Sequence, residues 1–409
     1  MKIVVITSWF SEKMGYSENF FPKALASLGH DVHVVTSTAQ VYYKSPTYGK
    51  TYFKHLGPAI VEPGVKKVDG FTLHRLNFSE DNTNPLSPFR LRGIRIAKLK
   101  EYLNNLHPDI VQVVNSIDEP STYDAALYAR ENNTMIFTES HLHASVMKAN
   151  KKRIVLEVLR SFLYKFHPNI TLINNVTTLC YPIAPDAAEI VRAFFHVPNN
   201  KIKIQPLGVD TELFCPALTN ELRENREKLR GSLGFNENDL VCIYTGRFSH
   251  SKNPQLLAEA INQLQQQGEN VKGLFLGNGT DEEVKQISSK RGCTVHPFVY
   301  VRDLPNYYRC ADLAVWPREE STSQLDAAAC GLPVILSNKI SVTERVEGNG
   351  FLYEEGNASD LAEKILLLKS SKLRNQFSKV GVEKVFREFS WLTLAAQRIE
   401  DYKNFLTKT

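Results

Sequence analysis

Strand-like apolar runs alternate with helix-like segments along the chain, in two successive series. The first series has apolar runs at residues 2–7, 31–36, 110–114 and 134–138, and the second begins near residue 201. This alternation predicts parallel sheets covered by helices on both faces. Because 409 residues exceed one typical core, we predict an α/β protein with two Rossmann-like, doubly wound domains. Ligands bind at the carboxyl edges of such sheets, so we expect both edges to face a central cleft.

Composition excludes several other classes of protein. The hydrophobic fraction of 43% and the charged fraction of 23% are those of a soluble globular protein. No apolar run approaches the roughly 18 residues that a membrane-spanning helix needs, and the start lacks a signal-peptide cleavage site. We therefore expect a cytoplasmic protein. The six cysteines are scattered without a CxxC pair, which is typical of reduced core residues.

Two strand-to-helix loops of the second series carry residue types that bind phosphate. In the first loop a strand ends at Gly246, and Arg247 and Lys252 follow. Arginine offers a planar fork to phosphate oxygens and lysine a point charge, although either one alone is more simply a surface cation. The second loop has two glutamates and three hydroxyl residues before a helix: Glu319, Glu320, Ser321, Thr322 and Ser323. Together the loops predict a diphosphate clamp.

The helix after the second loop carries one further candidate. We expect the hydroxyl residues to cap this helix, leaving its first N–H groups free for phosphate. Asp326 lies about one turn into the helix, where a carboxylate can accept two ribose hydroxyls. Its other interpretation is an acidic residue that complements the helix dipole.

These motifs together resemble the signature of the retaining GT-B glycosyltransferases of family four, the glycosyl transferases group 1. Residues 317–335 are similar to the family's acidic loop and Gly-x-Pro-Val segment, and residues 206–214 to the segment that opens its second domain. The resemblance covers most of residues 200–400. It implies an acceptor-binding domain at 1–200, a donor-binding domain at 201–385, and a final helix at 386–409 that packs back on the first domain.

The resemblance also implies an activity, the transfer of a sugar from a UDP- or GDP-sugar with retention at the anomeric carbon. Arg247 and Lys252 would hold the diphosphate, and Asp326 would bind the ribose. The remaining donor-site residues would border the base or contact the donor phosphates and sugar: Phe298, Val299, Ser321, Thr322, Ser323, and Glu320 or Glu319. The spacing to Asp326 is one or two residues short of the family's usual spacing, so the choice between the two glutamates stays open.

The first half carries weaker motifs. Gly15 stands where the family has two adjacent glycines near the donor phosphates, and it is equally consistent with a plain turn before a helix capped by Ser17. His141 and His143 follow a strand at the place where the family has a histidine near the sugar. Either of them could be that group, and a structural role is the alternative.

Charge is unevenly distributed along the chain. Residues 1–200 have 22 Lys and Arg against 17 Asp and Glu, whereas residues 201–409 have 27 of each. The basic segments at 90–100 and 148–153 suit either peripheral contact with an anionic membrane at its inner face or a solvated helix. Nucleic-acid binding is not expected, because aromatic residues are not interleaved with the cations. We expect the acceptor to be a lipid-linked precursor, a polysaccharide or a small molecule, which suggests polysaccharide biosynthesis.

The sequence leaves two alternative functions open and disfavours a third. No Asp-x-Asp triplet offers a metal site, so we expect no essential metal and no cofactor. A nucleotide-sugar epimerase or hydrolase, and a catalytically silent nucleotide-sugar-binding subunit, stay open as alternatives. A dinucleotide oxidoreductase fits poorly, because no Gly-x-Gly-x-x-Gly follows the first strand.

Overall fold

The fold comes from a computed structural model, which describes residues 1–12, 14–80, 91–142 and 151–407, with the backbone alone at 151–156. The chain divides into two compact units. The first comprises residues 1–207 and 394–409, and the second comprises residues 208–393. No helix in the described part of the chain is both long and apolar enough to cross a membrane.

The first unit is built on a seven-stranded sheet with the order β3-β4-β2-β1-β7-β8-β9. Only β3 runs antiparallel to its neighbour among these described strands, and β5 and β6 form a separate antiparallel pair. The strands are β1 (Lys2–Thr7), β2 (Asp31–Ser37), β3 (Gly64–Val68), β4 (Phe71–Leu76), β5 (Phe78–Glu80), β6 (Ile94–Ile96), β7 (Ile110–Val113), β8 (Met135–Ser140) and β9 (Thr177–Pro182). The helices are Ser17–Ser27, Tyr48–Thr51, Phe53–Leu56, Leu99–Leu106, Pro120–Asn132, Lys151–Tyr164, Pro168–Val176, Pro185–Ala193 and the short 3-10 turn Asn199–Lys201.

The second unit is built on a six-stranded parallel sheet with the order β12-β11-β10-β13-β14-β15. Its strands are β10 (Leu240–Thr245), β11 (Val271–Leu276), β12 (Cys293–His296), β13 (Leu313–Trp316), β14 (Val334–Ser337) and β15 (Gly350–Tyr353). Its helices are Asn220–Ser232, Pro254–Gln266, Asp281–Ser288, Leu304–Cys310, Ser323–Ala329, Thr343–Arg345, Ala358–Leu367, Ser371–Lys384 and the π-helical Val385–Phe389. The last helix, Trp391–Leu406, begins in this unit and continues in the first.

The central strands are continuous apolar runs because helices cover both of their faces. All six residues of β10 are buried, whereas the edge strand β12 is only half-buried. The parallel strands of each unit follow the doubly wound order, in which the direction of winding reverses next to the first strand. That switch point lies between β1 and β7 in the first unit and between β10 and β13 in the second. All six cysteines are free, and four of them are buried.

Candidate functional site

The loop after β10 is fixed by contacts with the neighbouring strand ends. The Gly246 N–H donates to the carbonyl oxygen of Leu276 at 2.9 Å, and the Gly277 N–H to that of His296 at 3.1 Å. Gly277 has a φ of 153°, and a Cβ there would lie 1.8 Å from the Gly246 carbonyl oxygen, so only glycine allows this approach. The backbone at Arg247 is therefore held in a defined position beside the switch point of the second unit.

Lys252 connects the two loops that the sequence singled out. Its Nζ donates to the carbonyl oxygen of Glu320 at 2.8 Å and lies 3.1 Å from a carboxylate oxygen of Glu319. Burial lowers the pKa of Lys252, and the adjacent Glu319 carboxylate opposes that shift. Glu319 has a φ of 52°, a left-handed conformation that is uncommon outside glycine and is concentrated at functional loops. The structure thus brings Lys252, Glu319 and Glu320 together.

Arg247 is the second cation of this edge, and its side chain is exposed. Its carbonyl oxygen accepts a hydrogen bond from the Tyr244 hydroxyl at 2.8 Å, which holds the backbone. The guanidinium forms no ion pair with any residue in the described ranges, and its positive charge contributes to lowering the pKa of Lys252. A free arginine fork beside a half-buried lysine is an arrangement that favours an anionic ligand.

The acidic loop, residues 319–323, is also held by a buried arginine that the sequence did not mark. Arg345 is buried, and it donates to the carbonyl oxygen of Ser321 at 3.0 Å and to the side chain of Gln324 at 3.2 Å. The Glu320 carboxylate accepts two hydrogen bonds of 2.7 Å from the backbone N–H and the hydroxyl of Ser341. Glu320 is therefore anchored to the loop after β14, while Glu319 faces Lys252.

The expectation that the hydroxyl residues cap the following helix is met only by Ser321, whose Oγ accepts from the backbone N–H of Ser323 at 3.4 Å. Thr322 occupies the cap position of Ser323–Ala329 with helical backbone angles, and its side chain makes no capping hydrogen bond to the described residues of that turn. The reason is that the turn already begins at Ser321, whose carbonyl oxygen accepts from the backbone N–H of Gln324 at 3.2 Å.

Asp326 lies in this helix with its carboxyl group largely shielded from water. Burial raises its pKa to about 8, and the nearby charge of Asp210 adds to the increase while that of Arg345 opposes it. Its carboxylate accepts no hydrogen bond from the residues that the structure describes. A carboxyl group with free acceptor sites at a sheet edge can bind hydroxyl donors of a ligand.

Phe298 and Val299 follow β12 at the same edge of the sheet. Both are half-buried, and the Phe298 N–H lies 3.5 Å from the Asn278 side-chain oxygen. Val299 packs against the core of the unit. These residues lie two strands away from β10 in the sheet order, on the side opposite to the acidic loop.

The first unit places His141 in a buried acidic network, whereas His143 lies outside the described residues. His141 Nε2 is 3.0 Å from a carboxylate oxygen of Glu139, and its side chain is 31% exposed. Burial lowers the pKa of His141, but the hydrogen bond and charge of Glu139, with the charge of Glu18, outweigh it and raise the pKa overall. Gly15 lies two residues before the helix Ser17–Ser27, and its neighbour Tyr16 is the cap residue of that helix, not Ser17.

The network continues to Arg398 on the last helix, a residue that the sequence did not mark. Its guanidinium donates to Glu139 at 2.7 Å and to Gln112 and Gln205 at 3.0 and 2.6 Å, and lies 3.7 Å from the Tyr181 ring centroid. Arg398 and Glu139 are both buried. Glu139 is thereby fixed by Arg398 on one oxygen and holds His141 with the other.

Within the described ranges, no group of three or more His, Cys, Asp or Glu side chains is arranged to hold a metal ion.

The overall fold is that of GT-B glycosyltransferases, as the sequence predicted. A glycosyltransferase from Rickettsia africae superposes with a TM-score of 0.71 over 100% of this chain and 99% of its own, at 16% identity. Anabaena Alr3699/HepE in complex with UDP and glucose superposes with a TM-score of 0.67, over 99% of this chain and 100% of its own, at 18% identity. At these identities the comparison shows the fold.

The sequence comparisons then give the family. Residues 225–384 match the family model of the glycosyl transferases group 1, which confirms the resemblance over that segment. Spore coat protein SA of Bacillus subtilis (strain 168) is 28% identical over 234 residues, covering 53% of this chain and 62% of the relative. A D-inositol 3-phosphate glycosyltransferase of Arthrobacter sp. (strain FB24) is 25% identical over 248 residues, or 57% of each chain. The chain thus spans about three fifths of the length of these curated relatives.

Proposed function

We propose that the protein is a glycosyltransferase that moves a sugar from a nucleoside diphosphate donor to an acceptor hydroxyl. The observation that carries the proposal is the pair of cations at the carboxyl edge of β10, where Lys252 contacts the acidic loop and Arg247 has no ion pair within the described ranges. Cations fixed at such an edge can neutralise the charge that grows on a departing diphosphate. The family match over 225–384 supports the assignment, since both cations lie in that segment.

The donor is proposed to bind along the edge of the second unit. Arg247 and Lys252 would contact the phosphates, and Asp326 would accept the ribose hydroxyls. Phe298 and Val299 would border the base. Glu319 or Glu320 would face the sugar, with the N–H groups of Ser321, Thr322 and Ser323 as further donors. We propose UDP or GDP as the nucleotide, and the solved complex of Alr3699/HepE with UDP and glucose supports UDP.

The two glutamates are not equivalent in the structure, and this difference refines the proposal. The Glu320 carboxylate is anchored to Ser341, whereas the Glu319 carboxylate pairs with Lys252. A diphosphate that takes over Lys252 would release Glu319. We therefore propose Glu319 as the glutamate that rearranges on donor binding, and Glu320 as the one that fixes the loop.

We propose that His141 acts on the transferred sugar and that Gly15, also in the first unit, lies near the donor phosphates. Glu139 accepts from the His141 ring, which fixes the ring and favours the protonated form. A positively charged or donating imidazole can stabilise oxygen atoms that become negative.

The proposal also covers the stereochemistry of the reaction, its metal requirement and its acceptor. We propose retention at the anomeric carbon and no essential metal, with the two cations in place of Mg²⁺. The acceptor is a lipid-linked precursor, a polysaccharide or a small molecule. Among relatives with printed activities, one is a D-inositol 3-phosphate glycosyltransferase and another a lipopolysaccharide 1,2-N-acetylglucosaminetransferase.

The experiment is release of nucleoside diphosphate from UDP- and GDP-sugars, with and without sugar acceptors, in buffer containing EDTA. We expect slow release without acceptor, faster release with the right acceptor, and a product whose anomeric configuration by NMR matches the donor. Release without any acceptor dependence would favour a hydrolase or epimerase. Donor binding without any release would favour the silent binding subunit, and a requirement for added Mg²⁺ would contradict the metal-free mechanism.

A further inference from the structure

The first unit contains a cavity at the carboxyl edge of its sheet. Its volume is about 370 Å³, within the range of roughly 300–1,000 Å³ that is typical of small-molecule sites. The lining comes from the segments that follow β1 and β2 and from β4, together with the antiparallel edge strand β3. Ligands of such sheets bind at this edge. Among the described residues, none that has been assigned to the donor lines the cavity.

The wall of the cavity is fixed by hydrogen bonds that join three segments of the chain. The Gln40 N–H donates to the Ala59 carbonyl oxygen at 2.9 Å. The Gln40 side chain is buried, and it donates to the Leu56 carbonyl oxygen and accepts from the Ser11 hydroxyl, both at 2.7 Å. Because a buried amide with both ends bonded holds these segments together, the cavity is a preformed part of the first unit.

Two cations and a carboxylate form the polar side of the cavity. Arg75 is buried, and its guanidinium donates to the Phe10 carbonyl oxygen at 2.9 Å. Lys66 Nζ lies 2.7 Å and Arg75 Nη2 lies 3.6 Å from the same carboxylate oxygen of Glu12. The side chains of Glu12 and Lys66 are 35% and 53% exposed, so a ligand can reach both of them.

The charge of the lining is balanced, which indicates the charge of the ligand. Lys66 and Arg75 are matched by the carboxylates of Glu12 and of the exposed Glu62. A phosphate or carboxylate ligand would compete with Glu12 for both cations and would lie near Glu62, which is unfavourable. A neutral hydroxyl can donate to the Glu12 carboxylate and accept from Lys66 without separating the ion pair. The lining therefore favours an uncharged, hydroxylated ligand.

Apolar side chains form the other side of the cavity. Leu56 and Leu73 are buried, Val61 is half-buried, and Val65 is exposed. Small-molecule sites combine such an apolar lining with a few polar groups that fix the orientation of the ligand. A pyranose ring has apolar C–H groups on its faces and hydroxyls at its rim. An uncharged sugar ring therefore matches both sides of the cavity.

We propose that this cavity binds an uncharged sugar ring of the acceptor, with Glu12 accepting from its hydroxyls and Lys66 donating to them. The inference rests on the proposed function only in naming this sugar as the acceptor, because binding itself needs no donor. It distinguishes between the acceptor classes, since it favours a neutral terminal sugar of a polysaccharide or lipid-linked precursor over a phosphorylated small molecule.

The experiment is a saturation-transfer NMR titration of the full chain without nucleotide. The probes are the methyl glycosides of glucose, galactose, mannose and N-acetylglucosamine, with glucose 6-phosphate and mannose 6-phosphate as anionic probes. We expect the wild type to bind at least one neutral glycoside and to bind both sugar phosphates more weakly than that glycoside. Glu12→Gln should bind the neutral glycoside about tenfold more weakly, because it loses a charged hydrogen-bond acceptor.

The sign of the charge change gives a second readout. Glu12→Gln leaves the lining with a net positive charge, so this variant should bind the sugar phosphates more tightly than the wild type does. Lys66→Gln leaves a net negative charge, so it should weaken binding of the neutral glycoside without that gain. Both variants should keep the wild-type thermal midpoint, because the changed side chains are about a third exposed or more.

Glu101→Gln is the matched control, because Glu101 is 72% exposed on the helix Leu99–Leu106 of the same unit, outside the cavity. It should bind like the wild type. Tighter wild-type binding of the sugar phosphates than of the neutral glycosides would overturn the proposal. Equal binding by the wild type and Glu12→Gln, or no saturation transfer to any neutral glycoside, would also overturn it. Since no nucleotide is present, these outcomes are independent of nucleoside diphosphate release, which tests the proposed function.

Discussion

Replacing Arg398 with methionine tests whether the last helix holds the His141 network. The substitution keeps a long apolar side chain but removes the cation that bonds to Glu139, Gln112 and Gln205. Both Arg398 and Glu139 are buried, so the Glu139 carboxylate would lose its buried cation and keep only the partly exposed His141 as an ionic partner. Breaking a buried ion pair in this way costs about 3–5 kcal/mol. For a unit of roughly 200 residues, this corresponds to a fall in the thermal midpoint of roughly 6–20 °C.

The assay is thermal and urea unfolding followed by circular dichroism, with two comparison variants. Arg387→Met makes the same chemical change at an exposed arginine paired with Glu388, and it should leave the midpoint unchanged. The double variant Arg398→Met with Glu139→Gln should recover much of the loss, because no buried charge is left unpaired. If Arg398→Met is no less stable than Arg387→Met, the buried network does not stabilise the first unit. NMR titration gives a second readout: the pKa of His141 should rise in Arg398→Met, because the arginine charge lowers it in the wild type.

Three further predictions concern charged groups. Arg247→Ala should lower the transfer rate by about a hundredfold or more without changing the thermal midpoint, since the side chain is exposed; wild-type release of nucleoside diphosphate would exclude it from the clamp. Nucleotide affinity measured by calorimetry should rise as the pH passes through about 8, where Asp326 ionises and can accept ribose hydroxyls; Asp326→Asn should lose this step, and an unchanged profile would argue against the ribose assignment. Glu119 has a pKa raised to about 8 chiefly by burial, above its ordinary value of 4.5, so wild-type stability should fall as the pH rises between those values. Glu119→Gln should remove that fall and be more stable by up to about 5 kcal/mol above pH 8 in urea unfolding, and equal pH dependence would contradict the assignment.

The central strands could be predicted from the sequence, whereas the edge strand β3 could not. β1, β10 and β13 are continuous apolar runs, which is the pattern of a parallel strand buried on both faces. β3 reads Gly-Val-Lys-Lys-Val and is mostly exposed, so it lacks the apolar pattern of a buried strand. Only its antiparallel pairing with β4 makes it a strand. Tertiary pairing of this kind has no signature within one short segment.

Some residues of the candidate site could likewise be predicted from the sequence, whereas others could not. Arg247 and Lys252 were predicted because they follow a strand end at fixed spacing, and the local chain determines where they lie. Arg345 and Arg398 were missed because their partners are distant in the sequence: Arg398 and Glu139 are 259 residues apart. No feature of the sequence near Arg345 or Arg398 distinguishes a buried arginine with a partner from an arginine on the surface. The assignment of acceptor and donor roles to the two units stays a prediction.

The most direct test of the central claim is binding of UDP, GDP and ADP measured by thermal shift, with wild type, Arg247→Ala and the control Arg291→Ala. Arg291 is an exposed arginine of the same unit and lies outside the proposed site. A nucleotide present at about 100 times its Kd should add roughly 2.7 kcal/mol to the stability of the folded protein and raise its midpoint. The account predicts a shift with UDP or GDP that is retained in Arg291→Ala and lost in Arg247→Ala. An equal shift in all three proteins, or none with any nucleoside diphosphate, would contradict the diphosphate site at the carboxyl edge of β10.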